Sequence, residues 1–162
     1  MTLKTELGLR KGFEYRPHEA LLNIYYTAAL IRKKAGELFR TYDLTDVQYN
    51  VLSLLKRQSG ESGGLTQVEL SRMMLVNRAN ITTLIDRMEK AGLVARRPVP
   101  EDRRYNIIAL TDKGREMHEK VSGVYIKKVG EIIGAVNEKE LDSLMAILQR
   151  VRTNLDQIHS PD

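Results

Sequence analysis

Residues 66–110 constrain what this chain can become more than any other stretch of it. Thr66-Gln67-Val68-Glu69 is a capping box, a hydroxyl at the N-cap with a carboxylate at the third helical position, and it opens a short helix to about Met74. Asn77 is a second N-cap, and the helix it starts runs to Ala91 and stops at Gly92. Residues 93–97 and 105–110 then read as strands, joined by Pro98, Pro100 and a charged tip. Helix, tight turn, helix and hairpin in that order leave few topologies open.

The second of these helices has two unlike faces. At about 100° per residue, Ile81, Leu84, Ile85 and Met88 fall together and form the side to be buried. The opposite side carries Ala79, Thr83, Asp86 and Arg87, with Asn80 and Thr82 at its margins. Short polar groups and one arginine suit base edges and phosphates, whereas a merely solvated helix more often carries Lys and Glu pairs. Thr82 and Thr83 are poor helix formers, which suggests use over propensity.

Charge is distributed to match. The net charge is +5. Residues 72–104 hold eight Lys/Arg (Arg72, Arg78, Arg87, Lys90, Arg96, Arg97, Arg103, Arg104) against Asp86, Glu89, Glu101 and Asp102. A local basic block on a balanced background is the footprint of phosphate binding, although charge alone fits a solvated face equally well. In the hairpin, Arg96, Arg97, Arg103 and Arg104 flank a proline-bearing loop, a wing that can lay arginine into a minor groove. Asp102 would orient a neighbouring guanidinium. Without its context the same tip would read as a charged edge kept soluble.

The flanks are helical. Residues 1–16 are unpatterned and read as an arm. Pro17 opens a helix with an apolar stripe at Leu21, Ile24, Ala28, Ile31, Ala35, Leu38 and Tyr42. Thr45 or Asp46 caps another carrying Val47, Val51, Leu54 and Leu55, and Gly60, Gly63 and Gly64 break the chain. Thr111 caps a long helix with Met117, Val121, Val124, Val129, Ile132 and Val136 on one side. Asn137 and Glu140 form a second capping box, after which Leu141, Leu144, Leu148, Val151, Leu155 and Ile158 repeat at heptad spacing. The expected fold is mainly α with a small β-hairpin wing: a winged helix-turn-helix head at 45–110, an arm and first dimerisation helix at 1–44, and C-terminal dimerisation helices at 111–162.

Several classes drop out. The chain has no cysteine, so disulfides, thiolate catalysis and direct thiol redox sensing are excluded. No apolar run approaches the roughly 18 residues of a membrane span, and the opening residues lack a signal-peptide pattern, so a cytoplasmic protein without membrane contact is expected. No nucleophile elbow, phosphate loop or paired carboxylate motif points to an enzyme. His18, His118 and His159 are scattered, so no metal site and no cofactor is expected.

The segment from Asp102-Arg103-Arg104 through Leu110-Thr111 to Gly114 resembles the wing-to-helix signature of the MarR family of bacterial transcription regulators. Leu44-Thr45 through Gln48 to Val51-Leu52 is similar to the start of that family's second helix. Thr82 through Asp86-Arg87 and Glu89 to Gly92-Leu93-Val94 is similar to its recognition helix and the turn after it. Together these span roughly residues 20–158.

The resemblance implies a homodimer in which first and last helices interlock, each subunit offering one head to a near-palindromic operator in double-stranded DNA. It implies a repressor released by a small effector, often an aromatic acid or phenol. On the family's pattern, Asn77, Arg78, Ala79, Asn80, Thr82, Thr83 and Arg87 belong to the groove helix. Thr66 and Gln67 head the helix before it, where N–H groups hold a phosphate. Arg96, Arg97 and Arg103 accompany the wing pair Asp102 and Arg104, with Arg104 in the minor groove. Tyr25, Tyr26, Arg32 and Tyr49 are candidates to line an effector crevice, although tyrosines at helical spacing are commonly core. A winged-helix module that binds another protein and has lost DNA reading is the alternative; the arginines and the polar groove face argue against it.

Overall fold

The computed structural model describes residues 2–75, 77–99 and 102–158, and within these all side chains except those of residues 78, 99 and 102–105. Helices α1 (Leu3–Glu6), α2 (Arg16–Arg40) and α3 (Asp46–Gln58) come first. Strand β1 (Leu65–Thr66), helices α4 (Gln67–Met74) and α5 (Arg78–Lys90), and strands β2 (Val94–Val99) and β3 (Asp102–Leu110) follow. Helices α6 (Asp112–Ile133) and α7 (Glu138–Gln157) close the chain. This is the mainly α architecture with a small antiparallel sheet that the residue pattern predicts.

Helix starts fall on the expected caps. Thr45 with Gln48, Thr66 with Glu69 and Asn137 with Glu140 each form a complete capping box, and Asn77 accepts from the Asn80 N–H at 2.8 Å. Pro17 lies in the first turn of α2, where its missing N–H removes no helical bond. Gly92 ends α5 with φ of 72°, a conformation that favours glycine.

Two features differ from expectation. Residues 1–16 contain α1, whose Leu3 is buried, so the arm is not wholly irregular. The sheet has three strands in the order β1-β3-β2. β1 pairs Leu65 with Ile108 and Thr66 with Ile107, too short a run to show period-two alternation in sequence.

Contacts divide the chain into two compact units with the boundary between Tyr125 and Ile126, inside α6. The first holds the core: Phe39, Leu52, Leu70, Ile81, Ile85, Met88 and Ile108 are each 2% exposed or less. Phe39 comes from α2, so the C-terminal end of that helix shares the core of the head. Toward its N-terminal side the α2 stripe is open, with Leu21 and Ile24 exposed. In the second unit, α7 buries no residue, and Leu144 and Leu155 of its heptad stripe are exposed.

Candidate nucleic-acid interface

Helix α5 presents the faces its periodicity predicts. Ile81, Ile85 and Met88 are fully buried, and Ala79, Asn80, Thr82, Thr83, Asp86 and Arg87 are exposed. Thr82 Oγ1 donates to Gln67 Oε1 at 2.9 Å, so the candidate groove helix is tied to the start of α4 through two candidate contact residues. Thr83 Oγ1 donates back to the Ala79 carbonyl at 3.2 Å. A hydroxyl that donates in this way keeps lone pairs with which to accept. The far end of α5 is pinned to α6. Thr111 Oγ1 donates to the Gly92 carbonyl at 2.6 Å, and Lys113 Nζ donates to the Ala91 carbonyl at 2.7 Å. A lysine there also complements the helix dipole.

The start of α4 is closed by the capping box its spacing implies. Glu69 accepts from both the N–H and the hydroxyl of Thr66 at 2.8 Å, and the Thr66 hydroxyl accepts from the Glu69 N–H at 3.2 Å. The Thr66 side chain is therefore occupied as a cap, and the first-turn N–H groups of Gln67 and Val68 are the ones without intrahelical partners. Backbone and side-chain hydrogen bonds from Thr66 hold the Glu69 carboxyl below its usual range. A lowered folded pKa means the box contributes stability above the ordinary glutamate pKa and loses it as pH falls through the folded value. Replacing Glu69 by Gln is expected to flatten that part of the acid limb in a plot of unfolding free energy against pH; an unaltered limb would show that the carboxylate does not act there.

Arg96 departs most from expectation. It is held by two acids of α5: Nη1 donates to Glu89 Oε2 and Nη2 to Asp86 Oδ1, while its N–H donates to Glu89 Oε1 at 3.0 Å. Burial works against its charge, but the hydrogen bonds to Asp86 and Glu89 outweigh it and push its pKa up. Two of the five N–H donors of its guanidinium are thereby directed at carboxylates. Arg97, on the opposite face of β2, is exposed. Arg78, Asp102, Arg103 and Arg104 lie in helix or strand by their backbone, and their side chains fall outside the described residues.

An open crevice of about 540 Å³ lies between α2 and α3. Of the four residues proposed for it, Arg32 and Tyr49 line it, while Tyr25 is exposed and Tyr26 half-buried, both away from it. Sequence reasoning missed Phe39, Asn50, Ser53, Arg57 and Tyr125. Ser53 and Arg57 follow Tyr49 at helical spacing and Asn50 lies three before Ser53, a signal that was present; Tyr125 comes from α6 with none. Tyr49 stacks on Phe39 at 4.6 Å and on His118 at 5.7 Å. Burial pushes the Tyr49 phenol up, with a hydrogen bond to Ser53 opposing it. Burial, then Lys56 and Arg57, hold His118 below the usual histidine range.

Among the described residues no cluster of three or more His, Cys, Asp or Glu is placed to hold a metal. No described helix is long and apolar enough to cross a membrane.

Two capped helices across a short turn, followed by a hairpin pinned back on the second of them, define a winged helix-turn-helix protein. The MarR family model matches residues 42–104. The transcriptional regulator PecS of Dickeya dadantii is 26% identical over 146 residues, covering 90% of this chain and 87% of that one. The transcriptional activatory protein BadR of Rhodopseudomonas palustris is 29% identical over 136 residues, covering 83% and 77%. Among solved structures, AbsC, a MarR family regulator from Streptomyces coelicolor, superposes with a TM-score of 0.82 at 21% identity, over 91% of this chain and 99% of that one. MepR of S. aureus, solved as a DNA complex, gives 0.75 at 20% identity over 82% and 93%. The chain is thus similar to MarR family transcription regulators, in its winged head by the family model and along most of its length by PecS and BadR.

Proposed function

We propose that this protein is a transcription regulator of MarR type, a homodimer that binds a near-palindromic operator in double-stranded DNA and acts as a cytoplasmic repressor released by a small aromatic or phenolic ligand. The observation that carries DNA reading is the outward face of α5, where Ala79, Asn80, Thr83 and Arg87 are exposed directly over a fully buried Ile81, Ile85 and Met88. A helix seated that firmly presents its short polar groups in one orientation, as base-edge recognition requires. The kinship with MepR, which was solved on DNA, supports it.

The test is selection from random duplexes. The expected result is one enriched near-palindrome with half-sites about 10 bp apart and affinity falling steeply with salt. No enriched site would end the DNA reading. Replacing Arg104 by Ala is expected to weaken binding by about 1–3 kcal/mol; unchanged affinity removes it from the interface.

The open apolar faces of α2 and α7 support the homodimer, since one chain leaves Leu21, Ile24, Leu144 and Leu155 in water. Covering what remains exposed of each such side chain is worth about 0.5–2 kcal/mol. Leu155→Glu is therefore expected to shift a dimer toward monomer in sedimentation at micromolar concentration. A sedimentation profile identical to the parent's would place the interface elsewhere.

The crevice supports the effector. Phe39, Tyr49 and Tyr125 supply aromatic walls, and Arg32 and Arg57 supply cations for a carboxylate. Ligand binding that favours one spacing of the two heads would lower the population able to bind the operator.

A further inference from the structure

Arg96 joins two elements that a DNA-reading head must hold in register. On β2 it shares a face with buried Val94, and that face rests on α5. Its guanidinium spans Asp86 and Glu89, three residues apart on the exposed side of α5. The Glu89 carboxylate is gripped twice, by the Arg96 N–H and by its side chain. We infer that Arg96 is a positioning residue that sets the angle between the wing and the groove helix, so that both engage the duplex at once. This rests on the DNA reading proposed above.

Thr111 and Lys113 fix the turn at Ala91 and Gly92, at the base of β2. Arg96 supplies a second point further along β2, and two points determine a direction. The choice of side chain agrees: only a planar fork reaches two carboxylates on one helix face, and the single ammonium of lysine does not reproduce it. So does the local charge. The Arg96 side chain is 25% exposed and shared by two acids, so the trio carries a formal charge of −1. Moving the guanidinium to a phosphate would leave two bare carboxylates facing DNA. The Asp86 side chain, 58% exposed on the candidate reading face, is tolerable there because it is paired.

The sign of a charge-removing substitution tests the idea. Asp86→Asn and Glu89→Gln each delete a negative charge beside DNA, which by electrostatics alone tightens binding to every duplex. Positioning requires the opposite for the selected site. Its affinity is expected to fall about tenfold, the worth of a charged hydrogen bond, while affinity for a random duplex holds or rises. Arg96→Lys, which keeps the charge and loses the fork, is expected to show the same fall in the specific-to-random ratio. Thermal unfolding of each variant checks the fold, and Asp86→Asn, at the more exposed partner, is the variant to use should Glu89→Gln unfold.

Tighter binding of Asp86→Asn to the selected site, or an unchanged ratio in Arg96→Lys, overturns the proposal. So does a fall of about one in the salt slope for Arg96→Gln with the ratio intact, which would mark a plain phosphate anchor. Should the parent protein select no duplex, the DNA reading fails. The clamp is then judged by amide hydrogen exchange at residues 94–97, which quickens in Arg96→Lys if it holds the wing and stays unchanged if it does not.

Discussion

Gly114→Ala is expected to destabilise the protein by about 3 kcal/mol or more, although the same exchange inside an exposed helix ordinarily stabilises by up to about 1 kcal/mol. Gly114 lies in the first turn of α6 and is buried. A Cβ placed there runs into the Leu93 carbonyl oxygen, far inside van der Waals contact, and meets Leu110 Cδ2 at 3.3 Å. The obstacle is backbone, in the turn that also receives the Thr111 and Lys113 hydrogen bonds, so it cannot rotate aside. Relief requires moving α6 away from the end of α5. At Gly123 of the same helix an added Cβ would meet nothing within 4 Å, and Gly123→Ala is expected to be neutral or mildly stabilising. Urea unfolding at one fixed protein concentration measures both. Equal and small effects at the two positions would mean that α6 does not sit on the Leu93 turn.

Phe39→Ala is expected to cost about 3–5 kcal/mol. Phe39 is 2% exposed and stacks with Tyr49 at 4.6 Å and with Tyr125 at 5.4 Å, so its ring joins α2, α3 and α6. Truncation loses the transfer energy of the ring and leaves a void that a stack of rigid aromatics closes poorly. Phe39→Leu, which refills part of the volume, is expected to fall well short of that loss. The same ring lines the crevice, so Phe39→Ala should also weaken any aromatic ligand bound there. A midpoint within about 1 kcal/mol of the parent would show that the stack is not part of the cooperative core.

Much of the head was legible because its signals are local. A capping box needs only residues a turn apart, and Thr66 with Glu69 closes as the spacing requires. The buried and outward faces of α5 follow from helical period alone, and Ile81, Ile85 and Met88 are buried accordingly. The heptad stripe of α7 falls where its spacing placed it, yet Leu144 and Leu155 on it are exposed, because periodicity reports that a face is apolar and not what lies against it.

Chain-distant pairings were not legible. Tyr25 and Tyr49 are the same residue type on neighbouring helices, and only Tyr49 faces the crevice, since the facing side of α2 is set by what α3 packs against. The charge block at 66–110 shows the same limit. Its extent, its helices and the outward side of α5 come from local sequence. Which of its arginines is paired and which exposed does not: Arg96 and Arg97 are adjacent and chemically identical, yet β2 turns one toward Asp86 and Glu89 and the other outward. Local sequence by itself determined that a capped two-helix head with a basic hairpin would form. The division of that basic charge into a paired arginine and exposed cations was decided only when β2 folded back on α5, because an ion pair depends on distance in space and the chain encodes only distance along itself.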